Sequence, residues 1–343
     1  MIPPLLYDHV LRPLLFQLSP ETIHDIAMTG LKALSLLPIH PRHDPRLART
    51  VFGIRFPNPI GLAAGFDKEA EVLGAWETLG FGYVEAGTIT ALAQPGNPKP
   101  RIFRLPELSG LINRMGFNNS GADHVAQRLE ALKASGRWPH IPIGINLGKN
   151  KVTALEEAPQ NYLQSFERLF ALGDYFVLNV SSPNTPGLRT LQGKAELNEL
   201  LGTIMAANRA KPAPKPLLLK IAPDLEWAQI DEILQLVTDH GLAGLIATNT
   251  TLDHSPVPAG RDETGGLSGK PLRDRSTEIV RYVCKHLDLP VIGVGGIFDA
   301  DGAKEKLDAG AALIQLYTGF IYRGPAIIPE ICRALVAEAK SAA

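Results

Sequence analysis

The sequence predicts a (β/α)8 barrel, because eight short apolar runs alternate with helical patterns along most of the chain. The runs are almost continuously apolar, as strands of a parallel sheet covered on both faces are. Eight strand–helix units over roughly 250 to 300 residues fit a closed barrel, and no GxGxxG turn opens a helix. The alternative is an open α/β sheet. The predicted strands are Ile60–Ala64, Tyr83–Ala86, Ile141–Asn146, Tyr175–Val180, Leu217–Ile221, Gly244–Thr248, Pro290–Val294 and Ala312–Tyr317.

A separate helical unit precedes the barrel. Apolar residues recur at helical spacing from Leu6 to Leu18, and Ser19 with Pro20 is a typical start of a second helix. We therefore predict an N-terminal helical hairpin as a domain at residues 1–45 and the barrel as a domain at residues 46–343. Two interpretations of the hairpin are open: a plug for one end of the barrel, or an amphipathic platform on a membrane surface.

Composition limits the class of protein. The chain has 343 residues, of which 45% are hydrophobic, so it can bury a full-sized core. Its formal net charge of -1 offers no basic field for phosphates, so no nucleic-acid partner is expected. Cys284 and Cys332 are typical of small core residues in a reducing compartment. Because no Cys/His group has metal-ligand spacing, we predict no metal site.

Two features of the sequence bear on the cellular location of the protein. The N-terminus carries no pattern of a signal peptide, and no apolar run approaches the about 20 residues that span a bilayer. We therefore expect a soluble or peripheral protein.

Two connections after predicted strands are unusually long. Residues 87–119 contain a loop with an inserted hairpin, and residues 249–273 form a second loop rich in Gly and Pro. Both follow strand ends, which is the face where barrel enzymes place their sites.

The ends of the last two strands predict a phosphate site. Gly295 and Gly296 allow close approach of the backbone, and the helix after Asp299 adds a favourable dipole. The alternative is a pair of ordinary tight turns.

Polar residues cluster at the other strand ends. Lys220 lies inside an apolar strand, so it either extends to the rim or points into the barrel mouth, while Lys68 on the rim could hold a carboxylate. Ser182 follows a strand in the stretch NVSSPNTPG, which is either a turn or a loop that holds a hydroxyl out for chemistry. Several asparagines, each with two donors and an acceptor, suit a ligand with cyclic amide edges, although singly they are typical of turns; they are Asn113, Asn146, Asn179, Asn184 and Asn249.

Together these motifs resemble the dihydroorotate dehydrogenase family, in its quinone-dependent, membrane-associated class. The resemblance covers nearly the whole chain and rests on AAGFDK, EAGTIT, QPGNPKPRIFRL, INRMGFNN, INLGKN, NVSSPNTPGLR, KIAPD, IATNTT, GGLSGKPL, GVGGI and LYTGF. It implies a flavin mononucleotide (FMN) cofactor and oxidation of (S)-dihydroorotate to orotate in de novo pyrimidine (UMP) synthesis.

The resemblance also implies roles for single residues. Ser182 matches the catalytic base, which takes a proton while a hydride passes to flavin N5. Implied cofactor contacts are Ala64, Gly65, Phe66, Asp67, Lys68, Thr88, Asn146, Asn179, Lys220, Thr248, Gly269, Gly296, Tyr317 and Thr318. Implied substrate contacts are Lys68, Asn113, Arg114, Met115, Gly116, Phe117, Asn179, Asn184, Asn249 and Thr250.

On this reading the helical hairpin docks on the bilayer and receives a membrane quinone, with His24 and Arg104 as candidates to meet its head group. The alternative for His24 is a residue of the polar helix face. A monomer at the cytoplasmic face of the inner membrane is expected. Ala91 and Ala93 depart from the family pattern, which has prolines before QPGNP, and could make that loop more flexible.

Three other functions compete. A soluble relative would pass electrons to fumarate or a nicotinamide, but Ser182 and the N-terminal extension oppose it, since related soluble classes use cysteine there. A silent flavin-binding barrel would lack the substrate residues. A flavin barrel that modifies nucleic acid would need a basic face.

Overall fold

In the computed structural model, which describes residues 3–37 and 39–341, eight parallel strands form a closed barrel. This confirms the predicted fold. Neighbouring strands follow chain order, and the last pairs with the first through Ile314 and Ile60. We label the barrel strands β1 to β8 in order: Ile60–Leu62, Tyr83–Ile89, Ile143–Leu147, Tyr175–Asn179, Leu217–Ile221, Gly244–Ala247, Val291–Val294 and Leu313–Leu316.

Every residue of these eight strands is buried, because the helices cover the outside and side chains fill the inside. The helices are Leu73–Thr78, Ala122–Ala134, Ala158–Leu169, Lys194–Arg209, Trp227–His240, Arg273–His286, Ala300–Asp308, Thr318–Arg323 and Ile327–Ser341. Short 3-10 turns lie at Pro45–Leu47, Pro106–Leu108, Phe170–Leu172, Leu188–Gln192 and Lys270–Leu272.

A short β-hairpin closes the end of the barrel where the strands begin. It consists of Arg49–Val51 and Ile54–Phe56. The fully buried Phe56 ring lies 5.2 Å from that of Tyr83, at the start of β2, and 6.5 Å from that of Tyr175, at the start of β4. This β-hairpin, and not the helical one, therefore plugs the barrel.

The predicted helical hairpin lies on the side where the strands end. Its first arm runs through Pro4–Leu6, a π-helical segment Tyr7–Leu11 and Arg12–Leu15, and its second is Pro20–Leu34. The Ser19 hydroxyl caps the second helix by accepting from the Thr22 amide at 3.2 Å. Residues 1, 2 and 38 lie outside the described residues, and the domain limits 1–45 and 46–343 stay a prediction.

The two long loops are joined into one sheet over the barrel rim. The inserted hairpin of the first loop is present as the strands Ile102–Leu105 and Gly110–Asn113. A third strand, Gly266–Gly269 of the second loop, pairs antiparallel with Gly110–Asn113. The sequence predicted a loop in place of this third strand, because its glycines carry no strand signal.

Candidate functional site

A cleft opens at the carboxyl ends of the strands. Its walls come from the strand ends, the three-stranded sheet and the loop after β4. Most of the predicted site residues line it: Ala64, Gly65, Lys68, Thr88, Asn113, Met115, Gly116, Phe117, Asn179, Ser182, Asn184, Lys220, Thr248, Asn249, Thr250, Gly269, Gly296, Tyr317 and Thr318. The structure thus brings together residues that the resemblance implied, while their individual roles stay predictions.

Phe66 and Asp67 do not line the cleft, and their predicted cofactor contacts stay predictions. The buried Asp67 carboxylate accepts from Trp76 Nε1 at 3.0 Å and from the amides of Glu71 and Val72 at 2.8 and 3.1 Å. Burial raises the pKa of Asp67, and these hydrogen bonds oppose the shift. The Asp67 carboxylate therefore fixes the chain at the start of the first barrel helix.

Arg114 and Asn146 also do not line the cleft. Arg114 donates to Glu263 at 2.7 Å and lies over the Phe103 ring at 4.5 Å, so it holds the second long loop against the inserted hairpin. Asn146 is fully buried and supports the cleft from below.

A buried ion pair lies beneath the cleft. Glu85 is fully buried and accepts hydrogen bonds from Asn146 Nδ2 at 2.7 Å and from Gln315 Nε2. Lys220 is 5% exposed, and its Nζ lies 3.7 Å from Glu85 Oε1. Lys220 therefore points into the barrel mouth and does not extend to solvent, which decides between the two sequence interpretations.

Replacing Lys220 by methionine is expected to lower the free energy of unfolding by about 3–5 kcal/mol, because it leaves the Glu85 charge buried without its cation. Urea unfolding of the protein measures this change. The double variant Lys220→Met with Glu85→Gln should recover much of the loss. A single Lys220→Met variant as stable as the original would contradict the pairing.

Amide and hydroxyl groups form a continuous network along one wall. Thr88 Oγ1 donates to Asn146 Oδ1 at 2.6 Å, and Asn179 Nδ2 donates to Thr88 Oγ1 at 3.0 Å. Asn249 Nδ2 donates to Asn179 Oδ1 at 3.2 Å and to Ser181 Oγ at 2.9 Å. These bonds fix the side chains before a ligand arrives, which lowers the cost of binding.

Ser182 lies in the loop after β4 and is 6% exposed. Its Oγ accepts from the Asn184 amide at 3.3 Å, so its own proton is not used in that bond. Asn184 Nδ2 donates to Asn113 Oδ1 at 3.1 Å, and Arg189 Nε donates to the Ser181 carbonyl at 3.0 Å. The loop is thus held over the cleft, which Ser182 lines.

The glycine turns after β7 and β8 line the other end of the cleft. Gly296 has φ of 70°, and a Cβ there would lie 2.4 Å from Arg273 Cβ, so only glycine fits. The helix Ala300–Asp308 begins directly after Asp299, whose carboxylate accepts from the Gly302 amide at 2.8 Å. One of the free amides at the start of that helix is therefore occupied by the N-cap residue.

Further residues line the cleft that the sequence did not single out: Ala63, Ser268, Leu272, Val294, Ile297, Gln315 and Gly319. The apolar ones resemble core residues in sequence, so nothing distinguished them. Thr250 Oγ1 and Gln315 Oε1 are buried and lack a hydrogen-bond partner among the described residues. Buried polar atoms are rarely left unpaired, so they fit a ligand with polar ring edges.

Lys68 lies at the mouth of the cleft, where its Nζ donates to the Gly65 carbonyl at 2.8 Å. Burial, and then the positive charge of Arg101, lower the pKa of Lys68 to about 8. An anionic ligand would restore the charged form, because it supplies the missing countercharge.

His24 lies between the helical hairpin and the barrel. Its Nε2 hydrogen-bonds the Phe66 carbonyl at 2.8 Å, and burial, with a further contribution from Lys68, lowers the pKa of His24. The Phe66 ring lies 5.4 Å from that of His24 and 5.6 Å from that of Tyr317, which lines the cleft. One aromatic layer therefore separates His24 from the cleft.

Arg104 fastens the turn of the helical hairpin. Its NH1 donates to the carbonyls of Phe16 and Leu18 at 3.2 and 2.8 Å, and its guanidinium lies 4.4 Å from the centre of the Phe16 ring. Neither His24 nor Arg104 lines the cleft, and their predicted role toward a quinone stays a prediction.

Comparison with known proteins places this geometry in a family. The model of the family "Dihydroorotate dehydrogenase" matches residues 46–338. Dihydroorotate dehydrogenase (quinone) of Gloeobacter violaceus is 54% identical, covering 94% of this chain and 92% of that protein. The protein of the same name from Thermosynechococcus vestitus is 50% identical and covers 97% of both chains. Among solved structures, ligand-free DHODH of Eimeria tenella has a TM-score of 0.88 at 38% identity, covering 94% of this chain and 96% of that one.

Proposed function

The chain belongs to the dihydroorotate dehydrogenase family, and we propose that it is a quinone-dependent member that oxidises (S)-dihydroorotate to orotate with FMN as cofactor. The observation that carries this proposal is the cleft itself, where a hydroxyl, several amides and two lysines meet at the strand ends. The curated relatives at about half identity all carry the name dihydroorotate dehydrogenase (quinone). In a cell the product would feed pyrimidine synthesis.

The residues present fit FMN. Gly296 and the residues around Thr318 offer a narrow turn for a phosphate. Thr250 Oγ1 and Gln315 Oε1, which have no hydrogen-bond partner within the described residues, would be available to a polar ligand. Lys220 places a positive charge beneath the ligand, where it would stabilise negative charge on a ring. When bound, FMN supplies the hydride acceptor that the protein's own side chains lack.

In this reaction one substrate carbon loses a proton and its neighbour loses a hydride. We assign proton abstraction to Ser182 Oγ, which lines the cleft and accepts from the Asn184 amide; as it takes the substrate proton, the serine must pass its own hydroxyl proton to a water molecule. A serine is a weak base, so amide donors must stabilise the negative charge that develops on the substrate. Asn113, Asn184 and Asn249 line the cleft and can provide them. The sheet and the loop after β4 limit the access of water.

Lys68 is proposed to bind the carboxylate of the substrate. Above pH 8 the free protein loses the Lys68 proton, so the affinity for orotate should be constant below about pH 8 and fall at higher pH. Lys68→Met should weaken binding about tenfold to a hundredfold, as for a hydrogen bond to a charged group, and flatten this pH dependence. Orotate titrations followed by flavin absorbance measure both; an unchanged profile in Lys68→Met would exclude the assignment.

A docking role for the helical hairpin rests on its exposed apolar surface. Within the described residues, twelve large apolar side chains are exposed, and only Leu92, Val152 and Leu252 lie outside residues 3–39. The hairpin therefore holds the other nine: Leu5, Leu6, Val10, Leu14, Leu18, Ile26, Leu36, Leu37 and Ile39. Such a patch is typical of an interaction surface, and a membrane that contains the quinone fits it.

None of the helices in residues 3–37 and 39–341 combines the length and the apolar character needed to cross a membrane.

The direct test is an anaerobic stopped-flow mixture of the purified protein with dihydroorotate, followed by flavin absorbance. We expect rapid bleaching that a quinone reverses and that fumarate or a nicotinamide does not. A yellow protein that does not bleach would support a silent flavin barrel instead. A colourless protein that cannot be reconstituted with FMN would overturn the proposal.

A further inference from the structure

Three side chains with metal-binding groups meet far from the cleft. His40 lies in the segment that joins the helical hairpin to the barrel, Glu77 lies near the end of the helix Leu73–Thr78, and His140 lies just before β3. Glu77 and His140 mark the end of the barrel where strands begin, opposite the cleft. We call these three residues the His40 cluster.

The geometry of the His40 cluster suits a small cation. His40 Nδ1 and His140 Nδ1 lie 3.1 and 3.3 Å from the same oxygen, Glu77 Oε1, and the three ligand atoms all lie within 4.8 Å of one another. Ligands about 2.0–2.1 Å from a tetrahedral Zn²⁺ are roughly 3.3 Å apart. Two of the three separations already match this value, so an ion requires only small side-chain shifts.

The charge balance favours a cation as well. The Glu77 side chain is 6% exposed, and a buried carboxylate is costly unless it is paired. Among the described residues its ion-pair partners are His40 and His140, which carry charge only when protonated. A divalent cation would compensate the charge of the carboxylate without depending on the protonation of either imidazole.

The surroundings of the His40 cluster orient the Glu77 carboxylate and leave the two imidazoles accessible. The His140 amide donates to Glu77 Oε2 at 3.2 Å, which leaves Oε1 directed at the two imidazoles. The side chains of His40 and His140 are 55% and 72% exposed, so an ion can enter and water can complete its coordination. Each ring would bind the ion through an unprotonated Nδ1, so a proton carried there in the free protein moves to Nε2 of the same ring or to solvent.

We propose that the His40 cluster is a binding site for one divalent transition-metal cation, with Zn²⁺ as its occupant. Two imidazoles and a carboxylate are a common zinc ligand set. The sequence predicted no metal, because the three residues are separated by 37 and 63 positions and form no local motif. A bound ion would fasten the connecting segment of the helical hairpin to two parts of the barrel.

The test uses the intact flavoprotein after removal of metals by a chelator. Zn²⁺ is titrated in competition with a chromophoric chelator, and we expect one ion per chain. His40→Ala and His140→Ala should each lower the affinity about tenfold or more, as loss of a ligand or its support does. The matched control is His124→Ala, which removes an exposed histidine on the helix Ala122–Ala134 and should change nothing.

Two further readouts keep the result interpretable. Flavin absorbance reports whether each variant is folded, and Glu77→Gln, which keeps an oxygen acceptor, replaces any histidine variant that fails to fold. Zn²⁺ should raise the melting temperature of the original protein and of His124→Ala, but not of the cluster variants. Equal affinity in the original and in all folded cluster variants would overturn the proposal and leave the cluster as an ion-pair group only.

Discussion

Replacing Ser182 by alanine is expected to slow the reduction of bound FMN by dihydroorotate about 10²–10⁴-fold, the range for loss of a general base. FMN binding should stay unchanged, because the recorded hydrogen bond of Ser182 Oγ is to the Asn184 amide in its own loop. Anaerobic stopped-flow absorbance measures the rate, and the flavin content of the purified variant measures binding.

A cysteine at the same position is the matched comparison. Ser182→Cys keeps a group of similar size that ionises more readily. The variant should therefore retain part of the rate of flavin reduction, and its rate should reach its maximum at a lower pH than that of the original protein. Orotate affinity in both variants separates catalysis from binding. Near-normal flavin reduction in Ser182→Ala would remove Ser182 as the base and assign the proton to another acceptor in the cleft.

The barrel could be predicted because burial on both faces leaves a strong local signal. Runs such as Tyr175–Val180 and Leu217–Ile221 are apolar without interruption, and the structure shows them as β4 and β5 with one-residue differences at most. Ser19 and Pro20 likewise predicted a helix start from neighbouring residues alone. Where the signal lies within a few positions of the chain, sequence is sufficient.

Sequence is not sufficient for side chains whose direction depends on distant partners. Asp67 follows β1 as a cleft residue would, yet Trp76 and two amides draw its carboxylate away. Glu85 carries no local sign that it pairs with Lys220 across the barrel. The His40 cluster is likewise invisible in sequence, since its three ligands come together only when the connecting segment packs along the first barrel helix.

The helical hairpin should matter for reoxidation of the flavin and not for its reduction. Replacing Leu5, Leu14 and Leu36 by glutamate changes side chains that are 73%, 58% and 63% exposed, so the fold should be preserved. Each leucine buried in a bilayer contributes roughly 1.5–3 kcal/mol, so the triple variant should lose at least about a hundredfold in vesicle binding. Turnover with a long-chain quinone in vesicles should fall in parallel.

The expected contrast between two half-reactions makes this test specific. Flavin reduction by dihydroorotate occurs in the cleft, which the three leucines do not line, so its rate should remain unchanged. Val152→Glu, which changes an 85% exposed apolar residue outside the hairpin, is the control and should retain vesicle binding and quinone turnover. If the triple variant keeps full turnover with the vesicle-bound quinone, the exposed apolar surface does not dock on the membrane. The helical hairpin then acts only through its contacts with the barrel, among them the hydrogen bonds from Arg104 to the carbonyls of Phe16 and Leu18.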